Sequence, residues 1–319
     1  MKIKIFGFFK KEHLQFLKFA HEYKIEINPN LRYIGIIFTI FAYFLLGNST
    51  ILFETNSSKA SFFQLFFLQF LTVFISYLIC LLPRGWKAFK PKNRKLILIR
   101  GTLGIITYYT YFLSKIWVDV IDNSLLFSID SLVIPLIMYI FFRIYIGKIA
   151  IIGILIGFLG ICFVNILDVK FYSLGGLIGI ISGIGLALII VMTTYMVKRD
   201  SPLLIAFYQS IIGVISSGLI MCFISWEPLD LHSYITIIFQ GFLYAAALFL
   251  FIDAFFYTET YIIGALGYSL TIFIIFLENL FLGKVIDIYS SIGTILVCGG
   301  GIILIINSYY KDRKINYKN

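Results

Sequence analysis

LGGLIGIISGIGLALIIVMTTYMV, residues 174–197, carries no charged side chain from end to end. At about 1.5 Å per residue an α-helix of this stretch covers roughly 36 Å, enough for the ~30 Å of hydrocarbon in a bilayer. Gly179 and Gly183 stand four residues apart, as do Gly153 and Gly157 in an earlier run, a spacing that lets helix backbones approach closely. Working outward, five apolar runs precede it (34–53, 61–82, 96–115, 122–142 and 149–166) and four follow (203–224, 234–257, 261–282 and 289–308). Apolar types make up 60% of the 319 residues and charged types 13%, so a water-soluble fold would lack polar side chains to cover its surface. Lipid offers no partner to backbone N–H and C=O groups, so the runs must be helices or a closed barrel. They are too long and too evenly apolar for barrel strands. The expected fold is an all-α polytopic membrane protein with ten transmembrane helices.

The net charge of +10 is distributed as a membrane protein requires. With the N-terminus inside, the inner segments carry Lys10, Lys11, Lys18 and Lys24, then Arg84, Lys87, Lys90, Lys92, Arg94 and Lys95, then Lys148, Lys198, Arg199, Lys311, Arg313 and Lys314. The outer segments keep Lys59, Lys115, Lys170 and Lys284. This positive-inside split predicts cytoplasmic termini in a bacterial inner membrane, and lipid rather than nucleic acid as the partner of the basic charge. Residues 1–33 read as a basic cytoplasmic tail. Its stretch KKEHLQFLKFAHEY (10–23) has the pattern of an interfacial amphipathic helix or a solvated tail. Residues 309–319 form a second cytoplasmic tail. Cys80, Cys162, Cys222 and Cys298 all lie in spans without a CxxC pair, as packing residues do.

The ten runs divide into two units of five, 34–166 and 174–308. IGKIAIIGILIGFLGICFV (146–164) lies over LGKVIDIYSSIGTILVCGG (282–300) with Lys148 on Lys284, Gly157 on Gly293 and Cys162 on Cys298. A unit with an odd number of spans enters the membrane from opposite sides in its two copies. The pair would be an inverted repeat with a site near the midplane, the architecture of secondary transporters.

Polar residues within the spans mark candidates for the pathway. Asn48 and Gln69 interrupt the first two spans. At 100° per residue, Arg100, Thr107, Tyr111 and Ser114 share one face of the third, with Tyr108 at its edge. Ser128 and Asp130 fall in the fourth span, Ser182 in the sixth, Tyr208 in the seventh, and Tyr268 and Glu278 on one side of the ninth. Lone Ser and Thr groups often satisfy themselves on their own helix carbonyls. A carboxylate at mid-bilayer costs about 2.5–3.5 kcal/mol, which points Asp130 and Glu278 toward protein or water. Arg100 either reaches into a pathway or snorkels to the interface. His13, His21 and His232 lie outside the spans, and HExxH, GxSxG, P-loop and Cys/His metal spacings are all missing. Neither an enzyme nor a resident cofactor or metal is expected.

Several of these residues sit in segments resembling the EamA family of the drug/metabolite transporter superfamily. LIRGTLG (98–104) resembles the Arg-Gly start of the third helix in the branch of S-adenosylmethionine uptake transporters. LLFSIDSLVIPL (125–136), GFLGICFV (157–164), IAFYQS (205–210) and DAFFYTETYIIGALGYSL (253–270) are similar to the family's fourth, fifth, seventh and eighth-to-ninth helix segments. Departures are Gly283-Lys284 for the family's Gly-Glu, Ala265 for its proline, and Gln69 at a position often held by arginine. Either Asp130 or Pro135 could match the proline of the fourth helix. The resemblance implies alternating access around a pocket between spans one, three, four, six, eight and nine, with a small-molecule metabolite as substrate. It implies S-adenosylmethionine uptake in exchange for S-adenosylhomocysteine, and leaves open riboflavin, an amino acid, or export. Asp130 or Glu278 would then meet a cationic group, Arg100 a carboxylate, and a tyrosine the ring. A non-transporting membrane scaffold subunit is the rival from another class.

Overall fold

The computed structural model describes residues 31–118, 120–142, 146–164, 174–283 and 288–316. The expected amphipathic segment at 10–23 lies outside them. The described chain is helical throughout, joined by short turns. In order the helices are α1 (Arg32–Asn56), α2 (Phe62–Leu81), α3 (Arg94–Ser114), α4 (Val120–Phe127), α5 (Asp130–Phe142), α6 (Lys148–Val164), α7 (Leu174–Met196), α8 (Pro202–Met221), α9 (Leu231–Ala254), α10 (Thr260–Leu266), α11 (Tyr268–Leu282) and α12 (Ile288–Asn316). Two 3₁₀ turns, Leu82–Arg84 and Trp86–Phe89, link α2 to α3. Seven stretches are long and apolar enough to cross a membrane: α1, α2 with its following turn, α3, α7, α8, α9, and α10 with α11. Three shorter apolar helices lie at 130–140, 148–160 and 291–307. Where a tail was expected from residue 309, α12 continues to Asn316.

The helix starts are legible in local chemistry. Asn93 accepts from Leu96 N at 3.1 Å to cap α3, and Ser201 accepts from Leu204 N at 3.3 Å to cap α8. Pro202 then occupies the first turn of α8, where its missing N–H costs nothing.

The fourth and ninth spans are broken, and this is the main departure from a picture of continuous helices. α4 gives way to α5 at Ser128-Ile129, and α10 to α11 at Gly267. Pro135 follows the first break by two turns and cannot donate to the Ser131 carbonyl. Gly267 is a poor helix former. The two broken helices cross, α10 packing on α5 and α11 on α4. Ser131 Oγ donates to Gly264 O at 2.6 Å, and Ser124 and Thr271 hydroxyls meet at 2.9 Å.

These two bonds exchange under a shift of 140 residues: Ser124 maps to Gly264, and Ser131 to Thr271. The same shift runs through the molecule. Gly35 lies against Ala254 O and Thr258, and Gly175 against Ser114 O and Val118. Gly153 abuts Gly300 O, and Gly160 abuts Gly293 O. The helix pairings follow suit: α9 on α1 mirrors α3 on α7, and α9 on α2 mirrors α3 on α8. The register expected from sequence, Gly157 on Gly293 and Cys162 on Cys298, is therefore one helical turn out. A four-residue slip keeps the same face of a helix, and the glycine-rich segments match in either register. Packing removes the ambiguity, because only the 140-residue shift pairs Gly160 with Gly300.

Candidate functional site

Between the repeats lies a cavity with about 780 Å3 of atom-free space. Four helices supply most of its wall. Ala42, Tyr43, Leu46 and Thr50 come from α1; Arg100, Gly104, Thr107, Tyr108 and Tyr111 from α3; Leu186 and Ile189 from α7; Tyr244, Ala247, Leu248 and Phe251 from α9. Phe127, Gln209 and Leu270 complete it from α4, α8 and α11. The wall is aromatic and apolar, and among the described residues Arg100 is the only charged one in it.

Arg100 is held inward, only 1% exposed, and does not snorkel to an interface. Its Nε donates to Thr193 Oγ1 at 3.1 Å, and its Nη1 donates to Gln209 Oε1. Gly104 leaves room for the Gln209 amide, since a Cβ there would come within 3.0 Å of it. Both partners are neutral, and among the described residues no carboxylate pairs with Arg100. Burying an unpaired charge is expensive, so the cavity presents a guanidinium with coordination capacity to spare.

The repeat mate of Arg100 is Gln240, and that of Gln209 is Gln69. They reproduce the contact in neutral form: Gln240 Nε2 donates to Gln69 Oε1 at 2.8 Å, and Gln69 Nε2 donates to Tyr108 Oη at 2.7 Å. This fixes Tyr108 against Tyr244, ring centroids 5.0 Å apart. Gln69 thus supports a wall tyrosine from behind and does not line the cavity.

Ion pairs tie the two ends of α1 to other helices. Arg32 Nη2 lies 2.7 Å from Glu259 Oε1 at one end, and Lys115 Nζ lies 2.8 Å from Glu54 Oε2 at the other. Arg32 and Glu54 are about 33 Å apart along the helix. Burial pulls the Lys115 ammonium below the ordinary lysine range, and Glu54 beside it works in the opposite direction.

Of the residues singled out from sequence, the structure brings Arg100, Thr107, Tyr108 and Tyr111 to the cavity. The others stand elsewhere. Asn48, Ser128 and Ser182 donate to carbonyls of their own helices, Phe44 O, Ser124 O and Gly179 O. Tyr208 reaches Phe89 O at 3.1 Å. Tyr268, expected to face the cavity, instead donates to Ile154 O at 3.1 Å and packs against Gly157 and Val297. Glu278 is buried, 2% exposed, and lies in the field of Lys115 rather than on the cavity wall. Asp130 sits at the first break, off the wall. Ser128, Asp130, Tyr268 and Glu278 lie on the two broken spans, where a constant 100° per residue does not hold across the break, whereas Asn48, Ser182 and Tyr208 lie on unbroken helices and are turned to other partners. Gln209, Tyr244, Tyr43 and Thr50 were missed. Gln209 and Tyr244 follow from Gln69 and Gly104 once the 140-residue register is known.

A helical bundle of two like halves, with seven stretches long and apolar enough to cross a membrane and a buried arginine at a cavity between the halves, defines a multi-pass membrane protein. The comparisons give the family. The model of the EamA-like transporter family matches residues 33–166 and again 173–306, the same 140-residue shift, and the chain belongs to that family. Its type is that of the drug/metabolite transporters. A crystal structure, described only as that of a protein, is similar over 88% of this chain and 97% of its own, with a TM-score of 0.72 at 16% identity. That likeness bears on the fold alone. No curated protein matches the chain.

Proposed function

We propose that this chain carries a small organic anion, bearing a carboxylate and a planar ring, across a bacterial inner membrane by alternating access. One observation carries the reading: an inward-facing guanidinium without a carboxylate partner in an aromatic-walled cavity between two repeats. A carboxylate would take the open edge of Arg100 through charge-assisted hydrogen bonds. Tyr108, Tyr244 and Tyr43 would stack on the ring. The ten helices, counting the broken pair as one span each, would cross as two inverted five-helix repeats with both termini cytoplasmic. The exposed Arg84, Lys87, Lys90, Lys92, Arg94, Lys95, Lys148, Lys198 and Arg199 then share the inner side. Rocking of the halves would break the Arg32–Glu259 and Lys115–Glu54 pairs in turn.

S-adenosylmethionine offers the carboxylate and the ring, but its sulfonium and ammonium meet no acidic side chain on the wall. Its demethylated product lacks the sulfonium and suits the wall better. Riboflavin, uncharged, would leave Arg100 unpaired. A scaffold role accounts poorly for polar groups turned to an interior cavity.

The test is uptake into proteoliposomes of labelled phenylpyruvate, orotate, S-adenosylhomocysteine and S-adenosylmethionine. Wild type should carry at least one of the first three in preference to the last. Arg100→Lys, matched for abundance, should lose most of that uptake, because an ammonium cannot copy the two-pronged fork. Equal uptake by both proteins would refute the assignment. Reporters fused after Asn319 should read cytoplasmic.

A further inference from the structure

Asp130 is the first residue of α5, immediately after the break in the fourth span, and is 1% exposed. Among the described residues its Oδ2 is buried without a hydrogen-bond partner, and its Oδ1 is met by Ser131 Oγ at 3.2 Å. The titratable groups in its field among the described residues are Tyr43 of α1 and Tyr268 of α11, with Cys162 of α6 beyond Tyr268. None of them is a cation. An ionised carboxylate here would therefore be a buried charge met only by neutral donors of Ser131, its hydroxyl and its backbone N–H, an arrangement that interior acids resolve by binding a proton.

The neighbouring hydroxyl makes that proton consequential. Ser131 has a single hydrogen and two acceptors: Gly264 O at 2.6 Å and Asp130 Oδ1 at 3.2 Å. With Asp130 neutral, Ser131 is free to donate to Gly264 and clamp α5 on α10. With Asp130 ionised, its carboxylate competes for the same hydrogen and loosens the clamp. Toward the cavity Asp130 has Tyr43 in its field, which lines the wall, is 3% exposed and has a hydroxyl without a hydrogen-bond partner among the described residues. That hydroxyl also lies against Gly267, where an added Cβ would approach it to 3.1 Å. Both breaks thus adjoin one orphaned acid and one orphaned hydroxyl.

We propose that Asp130 is a proton-binding site at the crossing of the two broken helices, that the proton switches Ser131 between Asp130 and Gly264, and that it travels with the substrate anion. The co-transport step rests on the transporter reading above. A neutral Asp130 and an anion at Arg100 favour each other, since an ionised carboxylate would repel the anion through a poorly screened interior.

The proton site is tested without substrate. The purified full chain in lipid nanodiscs is titrated between pH 5 and 9 by infrared difference spectroscopy. A protonated-carboxyl band should disappear as pH rises, be absent in Asp130→Asn, persist in Glu278→Gln and return in Asp130→Glu. In Ser131→Ala it should shift in frequency, because Oδ1 loses its donor. A band unchanged in Asp130→Asn, or a carboxylate ionised throughout, overturns the proposal whether or not the chain transports anything. Coupling is then read in proteoliposomes with labelled phenylpyruvate or orotate. An acidic exterior should speed wild-type uptake several-fold, while Asp130→Asn should keep downhill flux and lose the response. Asp130→Asn flux that still follows the proton gradient overturns the coupling. If phenylpyruvate, orotate and S-adenosylhomocysteine all fail to be carried, the transporter reading fails and the infrared result alone judges the site.

Discussion

The two repeats pack alike and differ in chemistry. In the first, Arg100, Thr107, Tyr108 and Tyr111 line the cavity; 140 residues on, Tyr244 aside, the corresponding wall is Ala247, Leu248 and Phe251, with Gln240 behind it. Asp130 at the first crossing has Leu270 as its mate. By contrast, the contacts holding the halves together are kept in duplicate, from the Gly153–Gly300 and Gly160–Gly293 approaches to the Ser131–Gly264 and Ser124–Thr271 bonds. Symmetric packing lets one rocking motion serve both faces of the membrane, which constrains both repeats equally. Binding needs only one charge at the centre, so the first repeat holds Arg100 and most of the polar wall, while the second adds Gln209 and Tyr244 to an otherwise apolar wall.

The sharpest way to break this comparison is to give the first repeat the residue of the second. Arg100→Gln should leave the fold intact, as Gln240 shows a glutamine to be tolerated at that position beside a glutamine partner. Losing a charge-assisted contact costs about 1.5–3 kcal/mol, so affinity for a carboxylate substrate should fall by roughly 10- to 150-fold. Unchanged binding with normal size-exclusion behaviour would show the two repeats to be chemically equivalent.

Next in size is a change that tests the duplicated packing. A Cβ at Gly160 would sit 2.7 Å from Gly293 O, and one at Gly300 2.5 Å from Gly153 O, with backbone on the far side in each case. Gly160→Leu and Gly300→Leu should each lower the melting temperature, on the order of 1–3 kcal/mol of overpacking. Gly299→Ala, beside them in sequence with open space around it, should be neutral or slightly stabilising. Equal behaviour of all three would mean that α6 and α12 do not meet as described.

How much was legible beforehand follows the same division. Span positions are written in apolar runs and caps, so a helical membrane fold with two halves could be read from 34–166 and 174–308. The register could not, because a slip of one turn keeps each glycine of α6 and α12 on its face, and only the partner helix decides. The third-span stripe from Arg100 to Tyr111 was legible because α3 is unbroken. Tyr268 and Glu278 were misplaced because α11 begins afresh after Gly267, and Gln209 was missed because its role needs a partner on another helix. Thiol labelling in a protein stripped of Cys80, Cys162, Cys222 and Cys298 sharpens this point. Ala247→Cys, the mate of Thr107, should react with a small water-soluble reagent and be protected by substrate, whereas Tyr268→Cys should resist; the reverse pattern would restore the straight-helix picture.

The smallest expected effect separates structure from switching at the crossing itself. Ser124 and Ser131 occupy the paired bonds to Thr271 and Gly264, and each Ser→Ala should cost about 1 kcal/mol of stability for a lost hydrogen bond. In a symmetric device the two variants would behave alike at every pH. Asp130 adjoins only Ser131, so the variants should part company. Ser124→Ala should lower the melting temperature by the same few degrees at pH 5 and pH 8. For Ser131→Ala the loss should be smaller at pH 5, where a neutral Asp130 leaves only the Gly264 bond to be lost, and greater at pH 8, where the hydroxyl serves a buried carboxylate and its removal strips that charge of a donor. Parallel pH curves for the two variants would place Ser131 in the duplicated packing alone and leave Asp130 without a lever on the helix crossing.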